Sequence, residues 1–181
     1  MPMNVNQFIG AGLKDAKIKI STGVTYDIFG VVSAVGDPDR DEIEVKGDDE
    51  VKGIFTMGLK ETITIESNAL SFDVIQAITG NSVSSSATGS EIALGTDSEM
   101  NPPIVEVQAY TIARSADGTS SVIKKTWFKV QLGKIKVEQA GENEFKFSCE
   151  GTAFPTSTNV TGAALDSKRI ATLNVYAGTI A

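Results

Sequence analysis

A change of hydrophobic period between Leu59 and Gly80 constrains the fold of this chain more than any other stretch. Residues 60–67 alternate polar side chains with Ile63 and Ile65, which predicts a half-buried β-strand. From residue 70 onwards the apolar spacing becomes that of an amphipathic helix, and Gly80 stands where such a helix would end. The side chains predicted to pack this helix against a sheet are Leu70, Val74, Ile75 and Ile78.

The rest of the chain carries period-two stretches that predict strands. They cover residues 16–20, 24–33, 104–114, 121–131, 134–139, 144–154 and 169–176. Asp117-Gly118, between two of them, is a strong hairpin signal. A lone helix must bury its apolar stripe against these strands. The predicted fold class is mainly β, an all-β chain with one short α-helix, in which two packed antiparallel sheets form a sandwich or a partly closed barrel flanked by the helix.

The absence of histidine narrows the possible functions. The 181 residues include 16 basic and 23 acidic side chains and no histidine, for a net charge of −7. Histidine-dependent triads and histidine-ligated metal centres are therefore excluded. The GxSxG, phosphate-loop and CxxC motifs are also missing, and the lone Cys149 allows no intramolecular disulfide and is interpreted as a core residue. We expect a protein that is not an enzyme and that binds no cofactor or metal.

Targeting and surface signals are weak. No apolar run approaches the roughly eighteen residues of a membrane span, and the first residues lack the basic start and apolar core of a secretory signal. Net negative charge argues against a nucleic-acid binder with a basic face. Lys124-Lys125 beside Trp127 could suggest base stacking, but strand alternation around a core aromatic explains the same pattern.

The strongest compositional shift lies at residues 36–52, which carry a net charge of −5. The acidic residues are Asp37, Asp39, Asp41, Glu42, Glu44, Asp48, Asp49 and Glu50, and the basic ones are Arg40, Lys46 and Lys52. A long polar excursion in a compact domain is typical of a lid, a binding loop or an assembly contact. A plain solvated loop is the alternative.

Calcium binding is one reading of this acidic segment. Asp37, Asp39 and Asp41 alternate as the carboxylates of an EF-hand loop do. The sixth position, however, is Glu42 where that loop has glycine, and the twelfth is Asp48 where it has glutamate. The pattern therefore gives calcium only weak support.

Two further segments lie outside the predicted core of a single domain spanning residues 1–181. Residues 1–15, with Gly10 and Gly12 around an apolar Phe8-Ile9, are interpreted as an arm that needs an external partner to order it. Residues 81–103 are rich in serine and glycine and end at Pro102-Pro103, so we expect a loosely held excursion of unassigned role.

The order of these signals resembles the tail tube protein, or major tail protein, of long-tailed bacteriophages, the siphophage type above all. The resemblance rests on TITIES leading into LSFDVIQAITG, on the later hairpin IVEVQAYTIARSADGTSSVIKKTWFKVQLG, and on the closing block GKIKVEQAGENEFKFSCEGTAFP followed by a final strand. It covers about residues 16 to 178 as a pattern of elements.

The resemblance implies a tail-tube-like fold and a structural role in the virion. Six subunits would close into a ring, and rings would stack into the tube that delivers the genome. The acidic residues from Asp37 to Glu50 would form an inter-subunit loop. Partners would be further copies of the chain, the tape measure protein, and the terminator and distal tail proteins. DNA would pass the lumen without specific binding, no membrane would take part, and assembly would occur in the host cytoplasm.

Other functions remain open at this point. A contractile-tail tube or a related injection system shares the fold that the resemblance implies. An acidic β-sandwich that binds calcium or carbohydrate through the loop from Asp37 to Glu50 is a second class. A hydrolase that uses carboxylates alone is a third, although the paired carboxylates of this exposed stretch are typical of solvated charge.

Overall fold

The computed structural model describes the backbone of residues 8–47, 50–69, 71–115, 120–140 and 144–177. Side chains are described for residues 12–40, 58–69, 71–97, 100–114, 120–138 and 146–176. The strands are β1 (Phe8–Lys19), β2 (Thr25–Asp27), β3 (Val31–Gly47), β4 (Glu50–Ser67), β5 (Val83–Ser86), β6 (Gly89–Ile92), β7 (Ile104–Ser115), β8 (Ser120–Ala140), β9 (Glu144–Ala153), β10 (Thr156–Thr158), β11 (Ala164–Arg169) and β12 (Ala171–Ala177). Helix α1 spans Phe72–Thr79, and a 3-10 turn spans Asp97–Met100.

Eight strands form one antiparallel sheet in the order β2-β1-β7-β8-β9-β4-β3, and β12 pairs with β8 beside this path. Two hairpins, β5–β6 and β10–β11, form small separate sheets. The prediction of a mainly β chain with one helix is thus confirmed. The sheet is not closed into a barrel, since its path ends at β2 and at β3.

Strand β8 divides the large sheet into two halves. Its first part, up to Gln131, pairs with β7 on one edge, and β12 lies on the other edge up to Trp127. Its second part, from Val130, pairs with β9, which in turn pairs with β4. The first half is therefore β2, β1, β7, the start of β8 and β12, and the second is the end of β8, β9, β4 and β3. The two predicted sheets are joined through one long strand.

Two bulges allow β8 to pass from one half to the other. Trp127 and Val130 are three positions apart on β8, whereas their partners on β7, Val107 and Val105, are two positions apart. Strand β8 therefore contains one extra residue there. A second register shift lies between Leu132 and Lys134. Each bulge bends the strand and displaces its inward-facing positions by one residue. A break at Gly133 was predicted, but glycine here accommodates a bulge, and the strand continues.

Both halves contribute to one hydrophobic core. Ile18 and Val107 from the first half and Ile63 and Cys149 from the second belong to the same buried cluster. Helix α1 buries Val74, Ile75 and Ile78 in this cluster, and Gly80 ends the helix at φ 75° with its N–H bonded to the Gln76 carbonyl oxygen at 2.8 Å. Leu70, the fourth predicted packing residue, lies outside the described residues.

The proposed N-terminal arm is part of the sheet as far as it is described. Residues 8–15 belong to β1 and pair with β7, with Ile9 opposite Arg114 and Asp15 opposite Tyr110. The physical reason is that the edge of β7 supplies hydrogen-bond partners for the backbone of these residues. Because β7 is distant in sequence, the local pattern of residues 8–15 does not reveal this pairing. Residues 1–7 lie outside the described part.

The serine-rich excursion at 81–103 is held to the helix by a buried amide. Asn81 Nδ2 donates to the Ala93 carbonyl oxygen at 2.7 Å, and Thr96 Oγ1 donates to Asn81 Oδ1 at 2.7 Å. Ile92 packs against the core, and Pro103 lies beside Gly80. The excursion is therefore a folded β5–β6 hairpin and 3-10 turn pinned at the end of α1, more ordered than its composition predicts.

Candidate functional site: the acidic ribbon and the open sheet edges

The acidic segment forms the outer part of the β3–β4 hairpin. The two strands pair from Val31 opposite Ser67 to Gly47 opposite Glu50. The pairing of β4 with β9 begins only at Glu61. Residues 39–47 and 50–60, named here the acidic ribbon, therefore pair only with each other among the described strands. The predicted loop is a two-stranded β-ribbon, because both of its arms alternate well enough to form a ladder.

The side chains described at and just before the start of the acidic ribbon, residues 37–40, are exposed. Asp37 and Arg40 are exposed, and Asp39 Oδ2 lies 3.2 Å from Lys60 Nζ across the ladder. Of the other predicted loop residues, Asp41, Glu42, Glu44 and Glu50 have strand backbone but no described side chain, and Asp48 and Asp49 lie outside the described residues. Exposed ion pairs of this kind contribute little to stability, so the surface charge is available to a partner.

Strand geometry does not suit the calcium reading of this segment. Asp37 and Asp39 lie on one extended strand, where alternate side chains stand almost 7 Å apart at roughly 3.3 Å per residue. An EF-hand loop instead wraps its carboxylates around one point. Among the residues whose side chains are described, no group of three or more His, Cys, Asp or Glu is placed to hold a metal ion.

The root of the acidic ribbon carries a partly buried ion pair that sequence reasoning missed. Glu61, whose side chain is 7% exposed, accepts a hydrogen bond from Lys125 Nζ of β8 at 2.6 Å. The same ammonium lies 4.4 Å from the centre of the Trp127 ring. A Cβ on Gly36 would stand 2.0 Å from Glu61 Oε1 and 3.0 Å from Trp127 Cζ2. The absent side chain of Gly36 thus makes room for the glutamate.

Trp127 is a core residue. It is 1% exposed, and its Nε1 has no hydrogen-bond partner among the described residues. A base could not stack on a ring so buried. The structure therefore supports strand alternation around a core aromatic as the explanation of the Lys124-Lys125…Trp127 pattern, in place of base stacking.

Strand β12 has one open edge. It pairs with β8 from Ala171 opposite Trp127 to Ala177 opposite Ser121 without a register shift. No described strand pairs with its other edge. Leu173 is 67% exposed and Tyr176 is 50% exposed. Edge strands of soluble proteins normally carry charges, proline or bulges that discourage pairing, and this seven-residue strand has none of them.

A cluster of acidic and basic side chains surrounds Lys17 in the first half of the sheet. Lys17 Nζ lies 3.3 Å from Asp27 and 3.6 Å from Asp15, and 5.8 Å from the Tyr110 ring. The hydrogen bond to Asp27, followed by the charges of Asp27 and Asp15, raises the pKa of Lys17. Tyr110 donates to Gln108, which donates to the buried Glu106, each at 2.7 Å. Each of these polar side chains has a partner within the cluster, which is typical of a structural network.

A shallow cleft of about 270 Å³ opens on the second half. Its walls are Val32, Glu66, Ser67, Asn68, Lys136, Glu138, Lys146, Phe147 and Ser148. Lys136 contacts Glu138, and this contact lowers the pKa of the Glu138 carboxyl. The lone thiol, Cys149, is buried nearby in the core, and burial raises its pKa to about 12. A thiol held protonated in this way is a poor nucleophile at neutral pH.

No protein-family model matches the chain, and no curated protein matches it. In the part of the chain that the structure describes, no helix has the length and apolar character needed to cross a membrane.

Proposed function

We propose that this chain is a structural subunit that assembles into stacked hexameric rings, forming the tail tube of a long-tailed bacteriophage. The observation that carries the proposal is the acidic ribbon, which extends beyond the last strand that could pair with it. The order of strands and helix in the resemblance to tail tube proteins supports the same role. The tube of a contractile tail would use the subunit in the same way.

The acidic ribbon is suited to contacts between subunits. A strand of ten residues is about 30 Å long at roughly 3.3 Å per residue, which is about the diameter of a small domain. A two-stranded ribbon is marginally stable alone in water. Its outer part, with few apolar residues and a net charge of −5 over residues 36–52, therefore gains most from a partner outside its own subunit.

Charge supports the role of a conduit. Lysine and arginine contacts to phosphate dominate nucleic-acid affinity, so a net charge of −7 disfavours adhesion of a passing duplex. In the proposed assembly the DNA moves through the lumen without a specific site. The tape measure protein and the terminator and distal tail proteins would contact the tube in the virion.

Electron microscopy of the purified protein tests the proposal. We expect hollow tubes or stacked rings with six-fold end views as protein concentration and salt are raised, because salt screens repulsion between acidic subunits. Single small particles at every concentration, also after addition of tube fragments as seeds, would contradict it.

Deleting the outer ribbon separates folding from assembly. We expect a variant in which residues 39–60 are replaced by Asn-Gly to unfold cooperatively at nearly the wild-type midpoint, because these residues pair only with one another. The same variant should form no tubes. The double variant Arg40→Gln and Lys60→Gln is the control. It removes two charges but keeps the length of the ribbon, so we expect it to assemble.

A further inference from the structure

We propose that the acidic ribbon of one copy lies along the open edge of β12 of a second copy and continues its sheet. This inference rests on the proposed function, because it names the partner of the ribbon within the assembly. It assigns an interaction surface to a strand, Ala171–Ala177, that the resemblance leaves without a role.

The strand pairings show why these two edges are both free. Strand β9 ends at Ala153, which pairs with Val130 on one side and with Glu61 on the other. Beyond this point β12 takes the place of β9 beside β8, starting at Trp127. Strand β4 continues from Lys60 to Glu50 with only β3 as a partner. Strand β12 and the ribbon part of β4 are thus the two strands that lose a neighbour where β9 ends.

The edge of β12 is the least protected in the described sheet. Strand β2, at one end, has only three residues. Strand β3, at the other end, carries Pro38 between Asp37 and Asp39 and has a register shift near Val31. Proline, charge and irregularity are the devices that prevent edge pairing. The absence of all three from β12, together with its exposed Leu173 and Tyr176, marks this edge as one that is covered in use.

Charge selects the ribbon as the occupant. The part of β8 that pairs with β12, residues 121–127, carries Lys124 and Lys125 and no acid, and Lys125 also contacts Glu61. Lys168 and Arg169 precede β12 directly. The sequence from residue 39 to residue 60 contains seven acidic and four basic residues, for a net charge of −3. Opposite charges steer association and set register, so the ribbon is complementary to this edge.

Among the described strands none pairs with the outer edge of β12, so we assign the ribbon of a second copy to it. The ribbon root contacts β8 through the ion pair of Glu61 and Lys125. The β10–β11 hairpin leaves the sheet between β9 and β12. Pairing in trans supplies partners to both open edges at once.

Cross-linking of assemblies with mixed isotopes tests this inference. Tubes grown from equal amounts of ¹⁴N and ¹⁵N chains would be treated with a carbodiimide, which joins carboxylates to amines. We expect peptides in which a carboxylate of residues 37–50 is joined to Lys124 or Lys168, about half of them with one label of each kind. Links of a single label only, or links from the ribbon to Lys134, which is 77% exposed on the second half, would overturn the inference.

A charge placed on the edge provides the second readout. Leu173→Asp repels an acidic ribbon, and we expect it to raise the protein concentration needed for tubes more than tenfold with little change in thermal unfolding. Leu94→Asp is the matched control, because Leu94 is 48% exposed on the 81–103 excursion, and it should assemble like wild type. Equal assembly of both variants would overturn the inference.

Tubes without the ribbon–β12 links would refute this pairing and leave the tube function standing, whereas absence of any assembly by the wild type would refute the tube function itself.

Discussion

Lys125 Nζ lies 2.6 Å from Glu61 Oε1, and this ion pair joins the two halves of the sheet at the root of the acidic ribbon. Glu61 is the first residue of β4 that pairs with β9, whereas Lys125 belongs to the part of β8 that pairs with β12. The charge of the lysine compensates a carboxylate that is almost fully buried. The contact therefore lies at the point where the ribbon leaves the body.

Removing the lysine should destabilise the protein. Lys125→Met keeps much of the packing over Trp127 but leaves Glu61 without its cation, and an unsatisfied buried charged group costs about 1–3 kcal/mol or more. Urea unfolding followed by the fluorescence of Trp127, the one tryptophan of the chain, measures the loss. In the double variant with Glu61→Gln the loss should be smaller than the sum of the two single losses. Additive losses would show that the two side chains do not interact.

Glycines at two close contacts should respond differently to alanine. At Gly36 the new Cβ would stand 2.0 Å from Glu61 Oε1, an atom at the end of a side chain. At Gly151 it would stand 2.2 Å from the Gln131 carbonyl oxygen and 2.7 Å from the Leu132 Cα, which belong to the backbone of β8. A side chain can move more easily than a paired strand, so Gly151→Ala should be the more destabilising of the two.

Measured midpoints of thermal unfolding check this order. Overpacking costs about 1–3 kcal/mol or more, so Gly36→Ala should lower the midpoint clearly and Gly151→Ala should lower it further or prevent folding. Gly89→Ala is the control, since a Cβ there meets no atom within 4 Å. An unchanged midpoint for Gly36→Ala would mean that Glu61 is free to leave its position.

Local patterns predicted the helix and the hairpin strands because their signals lie within a few residues. The predicted strand 104–114 matches β7, and the period change after Ser67 matches the start of α1. The path of β8 was harder to predict, because it contains two bulges, one between Trp127 and Val130 and one at Gly133. After each bulge, the alternation of core-facing and outward-facing residues is shifted by one position. Each bulge depends on strands that are distant in sequence.

The candidate site was predictable in composition and not in geometry. Counting charges located the acidic segment, whereas the contact of Glu61 with Lys125 joins residues 64 positions apart. Lys125 was noticed beside Trp127, but nothing local to Gly36 shows that a carboxylate occupies the space of its side chain. The role of Asn81 was missed for the same reason, since its partners Ala93 and Thr96 are fixed by the folded excursion.

Asn81→Ala should loosen the 81–103 excursion selectively. The change removes both hydrogen bonds that hold residues 93 and 96, and loss of bonds to a buried amide costs about 1–3 kcal/mol. Hydrogen exchange measured by mass spectrometry should show faster exchange over residues 83–97, with β7 and β8 unchanged. Ser82→Ala, at the exposed neighbouring position, is the control. Equal exchange in the two variants would mean that the excursion is held by other contacts.

The buried thiol should make stability fall at alkaline pH. Burial raises the pKa of Cys149 from 9.0 to about 12, so the folded protein keeps the thiol proton at a pH where the unfolded chain has released it. The unfolded state then binds fewer protons, and the free energy of unfolding decreases as pH rises above 9.0 by at most about 1.4 kcal/mol per pH unit. Below pH 9.0 this contribution is fully present.

Comparison with Cys149→Ala isolates the thiol from the lysines and tyrosines that titrate in the same range. Urea unfolding of both proteins between pH 8 and pH 11 should give curves that diverge, with the wild type losing stability more steeply above pH 9.0. The smaller alanine side chain lowers stability by a constant amount, so only the difference in slope reports the thiol. A constant difference across the whole range would mean that the thiol ionises equally in both states and is therefore accessible to solvent.

Slow reaction of the native thiol with a disulfide reagent at pH 8, accelerated by urea in proportion to unfolding, would agree with the steeper slope, because only the thiolate attacks.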